Sequence, residues 1–287
     1  MVQGDEGPAA GEADVGAGGL PGEVEEQLRS LRDEMRRLQE QVRALASGQK
    51  HANALVSTHV AGLDAALGGG IPRGHIVVLA GPTGAMKTSL SLHMLVRNRA
   101  AGLRGVYVTV EEGRESIVET MRRLGLGDSE DFVVDIGRLR LEHAGAEDLR
   151  DWIQVLRDFL VRRRERDPIG FVVIDSLNAL TDLARLSHPR GDLFHFVEFL
   201  RSLGLTTLLV LETDGVEPAD AGVEKIADGV LELRFSGAGA GRVELLLRCA
   251  KMRHANHSRD YFVLSYADKT FAVRPYASEA RRWGRRA

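Results

Sequence analysis

One cysteine, Cys249, occurs in 287 residues, so neither an intramolecular disulfide nor a cysteine-rich zinc site is available. Aromatic residues make up only 5% of the chain, and platforms on which nucleic-acid bases stack are correspondingly scarce. No run of about 18 apolar residues occurs, and no membrane span is expected; the longest strings, HIVVLA and TLLVL, have the length of strands. Lysine is nearly missing, with 5 Lys beside 33 Arg. Abundant Ala and Gly accompany that bias, which reads as GC-rich coding rather than a nucleic-acid signal. The 41 acidic residues outnumber the 38 basic ones, for a net charge of -3. The amino terminus, MVQGDEGPAAGEADVG, lacks the basic start and apolar stretch of a signal peptide, so a cytoplasmic location is expected. What is present is a hydrophobic fraction of 44% and a charged fraction of 28%. Such a chain buries a sizeable core and is neither wholly disordered nor collagen-like. Its length suggests roughly two domains, or one with extensions.

Composition shifts along the chain. Residues 1–22 carry Asp5, Glu6, Glu12 and Asp14 without a Lys or Arg, and are expected to form a disordered acidic tail. Val24, Leu28, Leu31, Met35, Leu38, Val42 and Leu45 then follow at alternating spacings of 4 and 3. That heptad rhythm predicts a coiled coil over 23–48, with an amphipathic helix lying on its own domain as the competing arrangement. From about Leu55 apolar strand-sized runs alternate with helical segments: HIVVLAG, GVYVTV, FVVDIG, FVVIDS and TTLLVLE are the strands. This alternation predicts an α/β fold with a mostly parallel, helix-covered sheet over 55–275. GVLELRF with RVELLLRCA, and then YFVLSYADKTFAV, read as antiparallel hairpins closing the domain. A basic tail, 276–287, ends the chain.

The chemistry concentrates after the first strand. Gly81-Pro-Thr83-Gly84-Ala85-Met86-Lys87-Thr88 follows a buried run and opens a helix, the context a phosphate-binding P-loop requires. Backbone N–H groups there face the β- and γ-phosphates, Lys87 adds a full charge, and the Thr88 hydroxyl can ligate Mg²⁺. Met86 stands where the last glycine of such loops is usual. Asp175 ends the strand FVVID, as the acid that holds Mg²⁺ through water must. Glu111 and Glu112 close GVYVTV, where a carboxylate can orient and deprotonate an attacking water.

Taken in order, Val60-Ala-Gly-Leu-Asp64, GGGIPRG, GPTGAMKT, VTVEEGRESI, VVIDSLNAL, TTLLVLETDG, KIADGVLEL and KMRHANHSRDYFVL resemble the KaiC/RadA group of RecA-superfamily ATPases, most closely single-domain KaiC-like proteins. The resemblance runs from about Thr58 to Val273. It implies a RecA-like core, ATP and Mg²⁺ as ligands, and Glu111 and Glu112 as catalytic residues. It also implies a homo-oligomer, either a ring such as a hexamer or a filament, with ATP between subunits. Lys251 and Arg253, with His257 as a further contact, would then reach the neighbour's γ-phosphate. There is no counterpart of a second KaiC domain with adjacent Ser/Thr phosphorylation sites, so clock-type autokinase activity is not expected.

Three functions follow from these motifs. The leading one is a slowly hydrolysing ATPase whose nucleotide state controls assembly or an unknown protein partner, met through the coil or the tails. The second is a nucleotide-gated scaffold with little turnover. The third, a DNA recombination accessory, is opposed by the segment TDGVEPADAGVEK. It carries Asp214, Glu217, Asp220 and Glu224 against Lys225, and a polyanion needs positive charge at the contact.

Overall fold

Val77, Val78 and Leu79 have no exposed surface, and the strand that carries them is the hinge of the architecture. The computed structural model describes residues 54–138, 152–184, 189–213, 222–237 and 243–276. The acidic tail, the heptad segment and, beyond Tyr276, the basic tail lie outside these residues. β1 (Leu55–Val56) and β2 (Ile71–Pro72) form a small antiparallel ribbon that the periodicity did not predict. The main sheet has nine strands. Six are parallel: β3 (Ile76–Gly81), β4 (Gly105–Thr109), β5 (Val133–Asp135), β6 (Phe171–Asp175), β7 (Thr206–Glu212) and β8 (Gly229–Phe235). They lie side by side in the order β8-β3-β7-β6-β4-β5. β9 (Leu245–Met252), β10 (Phe262–Ala267) and β11 (Thr270–Pro275) extend the sheet beyond β8 with antiparallel pairing. The expected α/β class and terminal hairpins are therefore present.

Seven helices connect the described strands: α1 (Leu63–Ala66), α2 (Lys87–Ala100), α3 (Arg114–Arg123), α4 (Trp152–Arg166), α5 (Leu177–Ala184), α6 (Pro189–Ser202) and α7 (Val223–Ile226). Strand side chains alternate between faces, which explains two separate core layers. Val77, Leu79, Tyr107 and Val173 pack with Leu90 and Met94 of α2 and Met121 of α3. Ile76, Val78, Val106 and Ile174 pack with Leu156 of α4, Leu180 of α5 and Phe196 of α6. Each buried aliphatic side chain contributes about 1.5–3 kcal/mol, and both faces are filled, so the strands read as continuous apolar runs. No described helix is long and apolar enough to cross a membrane.

One expected boundary shifts, and the strand order adds a residue to the site. The run FVVDIG is strand only to Asp135, because that carboxylate accepts the backbone N–H groups of Arg114 and Arg138 and turns the chain. One strand, β7, lies between the P-loop strand β3 and β6, which ends in Asp175, and the acid at its end joins the site.

Candidate nucleotide site

The carboxyl ends of β3, β7, β6 and β4 converge on a cavity of about 410 Å³. Parallel strands direct their chain ends to one edge, where such crevices form. Gly81 ends β3 against β8, and a Cβ there would stand 2.8 Å from the Leu233 Cβ, so only glycine fits. Gly84 turns the loop at φ +79°, a conformation open to glycine. Met86 is the surprise, with φ 58° and ψ 25°. An L-residue in this left-handed region carries a strain of roughly 1–2 kcal/mol. Its thioether packs partly buried against the core layer under α2, which holds the conformation in place.

Lys87 begins α2 and is 8% exposed. Its Nζ donates to the carbonyl oxygens of Gly81 and Pro82, each at 2.8 Å. Burial pushes its ammonium below the ordinary lysine value, while Glu212, Asp175 and Glu111 pull it back. Thr88 Oγ1 donates to Asp175 Oδ2 at 2.7 Å. Burial raises the Asp175 carboxyl, and the hydrogen bonds from Tyr107 and Thr88 oppose that shift. Thr88 spends its single proton on Asp175, so its oxygen lone pairs remain for a cation. Asp175 receives both hydroxyls on Oδ2, which leaves Oδ1 for a metal-bound water. A hydroxyl and a carboxylate oxygen suit Mg²⁺, which is usually held by one or two side chains together with phosphates. No group of three or more His, Cys, Asp or Glu among the described residues is placed to hold a metal alone.

The glutamate pair diverges. Glu111 accepts a hydrogen bond from the Ser176 hydroxyl, beside Asp175. Glu112 turns toward the start of α3, where Oε2 accepts from Ser116 Oγ at 2.6 Å. Both line the cavity, together with Thr83, Gly84, Ala85, Met86, Lys87, Thr88 and Asp175. Lys251, Arg253 and His257 do not line it. Lys251 Nζ donates to the carbonyls of Glu224, Lys225 and Ala227, and its ammonium is lowered first by burial and then by Arg253. Arg253 pairs with Asp228 at 3.2 Å, and His257 Nδ1 lies 3.0 Å from the Ser258 carbonyl oxygen.

Four residues of the site escaped the sequence reading. Glu212 ends β7, accepts from the Thr83 hydroxyl, and has its backbone N–H held by Asn178 Oδ1 at 2.8 Å. Its signal was available, since TTLLVLE ends in an acid as FVVID does. Ser176 holds Glu111, and Tyr107 and Ser91 stand behind Asp175 and Thr88.

A buried parallel strand, a loop ending in Lys-Thr at a helix start, and a strand-end Asp bonded to that Thr define a P-loop nucleotide-binding protein. The comparisons narrow the class. The family model described as the KaiC ATPase matches residues 56–277, and the chain belongs to that family. A UPF0273 protein of Thermotoga maritima is 28% identical over 234 residues, covering 77% of this chain and 96% of its own length. The circadian clock protein KaiC3 of Synechocystis is 28% identical over 230 residues, 75% of this chain but 44% of that protein. Protein RecA of Zymomonas mobilis is 32% identical over 155 residues, 53% of this chain and 38% of its own. Both of these matches thus span less than half of the relative. A solved KaiC-like protein of Pyrococcus horikoshii shares the fold, with a TM-score of 0.66 and 24% identity over 77% of this chain and 99% of that one.

Proposed function

We propose that this chain binds ATP with Mg²⁺ in the cavity at the ends of β3, β7, β6 and β4. It hydrolyses the nucleotide slowly and uses its nucleotide state to control assembly or a protein partner. One observation carries the reading: Lys87, Thr88, Asp175 and Glu111 line a single cavity although they come from three separate stretches of sequence. Backbone N–H groups from Gly81 to Thr88 would face the phosphates, and Lys87 would exchange its two loop carbonyls for phosphate oxygens. Thr88 and, through water, Asp175 would hold Mg²⁺, which when bound neutralises charge on the phosphates. Glu111, steadied by Ser176, is the group to orient and deprotonate water; Glu112 serves the turn into α3 and lies further from that task.

The charge of the site supports slow turnover. Lys87 is the one cation among the described residues lining the cavity, so these residues alone offer little to stabilise the departing γ-phosphate. In a homo-oligomeric ring or filament, Lys251 and Arg253, with His257 nearby, would supply the missing charge from the neighbour. The heptad segment 23–48 assists that assembly. A nucleotide-gated scaffold with little turnover is the second reading, favoured by the strained Met86 at the loop. A DNA role has less support: the similarity to protein RecA covers 53% of this chain, and the segment 213–225 is acidic.

Mass measurement with and without ATP·Mg²⁺, accompanied by phosphate release, tests the proposal. Wild type should bind and release phosphate, and Lys87→Ala should lose more than tenfold in affinity, about 1.4 kcal/mol. Unchanged binding and turnover in Lys87→Ala would defeat it. Phosphate release as slow in wild type as in Glu111→Gln favours the scaffold.

A further inference from the structure

Tyr107 has no exposed surface in the middle of β4, yet its hydroxyl is not idle. Tyr107 and Val173 are register partners, and Thr109 pairs with Asp175 two residues on. Tyr107 and Asp175 therefore project from the same face of the sheet, toward α2. The Tyr107 hydroxyl donates to Asp175 Oδ2 at 2.5 Å, the oxygen that Thr88 also uses. On its other side it lies 3.4 Å from Ser91 Oγ, and Ser91 Oγ donates to the Thr88 carbonyl at 2.9 Å. The contacts close a circuit: Thr88 and Tyr107 donate to Asp175, Ser91 donates to the Thr88 carbonyl, and the Tyr107 and Ser91 oxygens, each with its one proton so committed, meet in a packing contact. Ser91 is fully buried as well.

We infer that Tyr107, supported by Ser91, is a positioning residue for the Mg²⁺ site. With two donors on Oδ2, the Asp175 carboxylate cannot rotate without breaking both bonds. Oδ1 stays turned to the cavity, and the Thr88 oxygen stays turned with it. The Tyr107 donor is buried, so water does not replace it cheaply. A carboxylate held this way needs no rearrangement when a cation arrives, and partners of this kind typically change metal affinity 10–100-fold when removed. The hydroxyl earns its place here: at an otherwise aliphatic strand position a phenylalanine would fill the same space. The inference rests on the nucleotide reading above.

The test removes only the oxygen. Binding of a fluorescent ATP analogue to the full chain is titrated with Mg²⁺, and binding of the ADP analogue is measured in EDTA. Tyr107→Phe should raise the Mg²⁺ concentration for half-maximal ATP-analogue binding about tenfold or more. Metal-free ADP-analogue binding should stay within about twofold, which a merely structural role for Tyr107 would not separate. Ser91→Ala, acting from the far side of the circuit, should shift the same midpoint upward by a smaller factor; it stands in if Tyr107→Phe does not fold. An unmoved Mg²⁺ midpoint in a folded Tyr107→Phe, or equal losses with and without metal, would overturn the inference while leaving the nucleotide site standing. Failure of wild type to bind either analogue would instead overturn the nucleotide reading and this inference with it.

Discussion

Lys251 Nζ lies 2.6 Å from the carbonyl oxygen of Ala227, with the carbonyls of Glu224 and Lys225 at 3.1 and 3.2 Å. An ammonium has three protons, and here three neutral carbonyls take them. Those carbonyls belong to α7 and the residue after it, the segment that returns the chain to β8. Contact with a phosphate on a neighbouring chain therefore requires Lys251 to release at least one of them. Hydrogen bonds from a charged donor contribute about 1.5–3 kcal/mol each at most, so the exchange is feasible but not free.

That arrangement predicts a local effect of Lys251→Met. The Ala227 amide, which donates to the Val223 carbonyl at 2.8 Å, should exchange its hydrogen about tenfold faster or more, while amides of β3 keep wild-type protection. Hydrogen exchange read by mass spectrometry over 222–228 checks this. Unchanged exchange there would show that the ammonium does not secure the segment.

Much of this site was legible because it is local. GPTGAMKT is one contiguous stretch, and the loop, the helix start and the hydroxyl come with it. Asp175 was legible as an acid ending an apolar strand. Tyr107 and Ser91 were not, because their roles arise from sheet order; Glu212 carried the same strand-end signal as Asp175, but its contact with Thr83 depends on that order too. Placing β7 beside β3 brings Glu212 to Thr83, and pairing β4 with β6 brings Tyr107 under Asp175. In the sequence alone Tyr107 is an ordinary core aromatic and Ser91 an ordinary helix residue. The β1–β2 ribbon was missed for a different reason: two residues per strand carry no period. Lys251 and Arg253 were assigned to the site only by resemblance, and within one chain they serve Ala227 and Asp228.

Met86 offers a test of backbone strain. Met86→Gly relieves the left-handed conformation, but it frees the unfolded chain by about 0.4–1 kcal/mol and gives up the partly buried thioether. These terms oppose one another, so stability should move by no more than about 1 kcal/mol, while nucleotide affinity or rate changes because the loop can approach the phosphates more closely. Met86→Val should destabilise by about 1–2 kcal/mol, since a β-branched residue is poorly tolerated there. Urea midpoints and binding isotherms of the two variants provide the check. Equal stability of the two would show that the conformation carries no strain.

Cys249 should be inert. It is 3% exposed on β9, and burial pushes its thiol up to about 11. The thiolate is the reactive species, so at pH 8 the folded chain holds roughly a hundredfold less of it than an unfolded one, with an ordinary value of about 8.5. Because the raised value favours the neutral thiol, this contribution to stability is complete below about pH 8.5 and fades as the pH climbs toward 11. Alkylation by iodoacetamide at pH 8 should be more than a hundredfold slower in the folded chain than in urea. Comparable rates would mean that β9 opens readily.

The shared-site assignment is tested most sharply by mixing two defective chains. In an oligomer with ATP between neighbours, Lys87, Thr88 and Glu111 come from one subunit and Lys251 and Arg253 from the next. The Arg253 guanidinium would stabilise charge on the γ-phosphate as it leaves and would do little for ADP. Arg253→Ala should therefore depress hydrolysis and ATP-dependent assembly more than ADP affinity. It also removes the partner of Asp228, a carboxylate that still keeps Arg201 at 3.1 Å, so the fold should survive. Mixed with inactive Lys87→Ala, some interfaces would join an intact Lys87 to an intact Arg253, and partial phosphate release should return. If the two variants co-assemble and no activity returns, the neighbour does not supply this charge. Arg253 would then be confined to its bond with Asp228 and Lys251 to the carbonyls it holds.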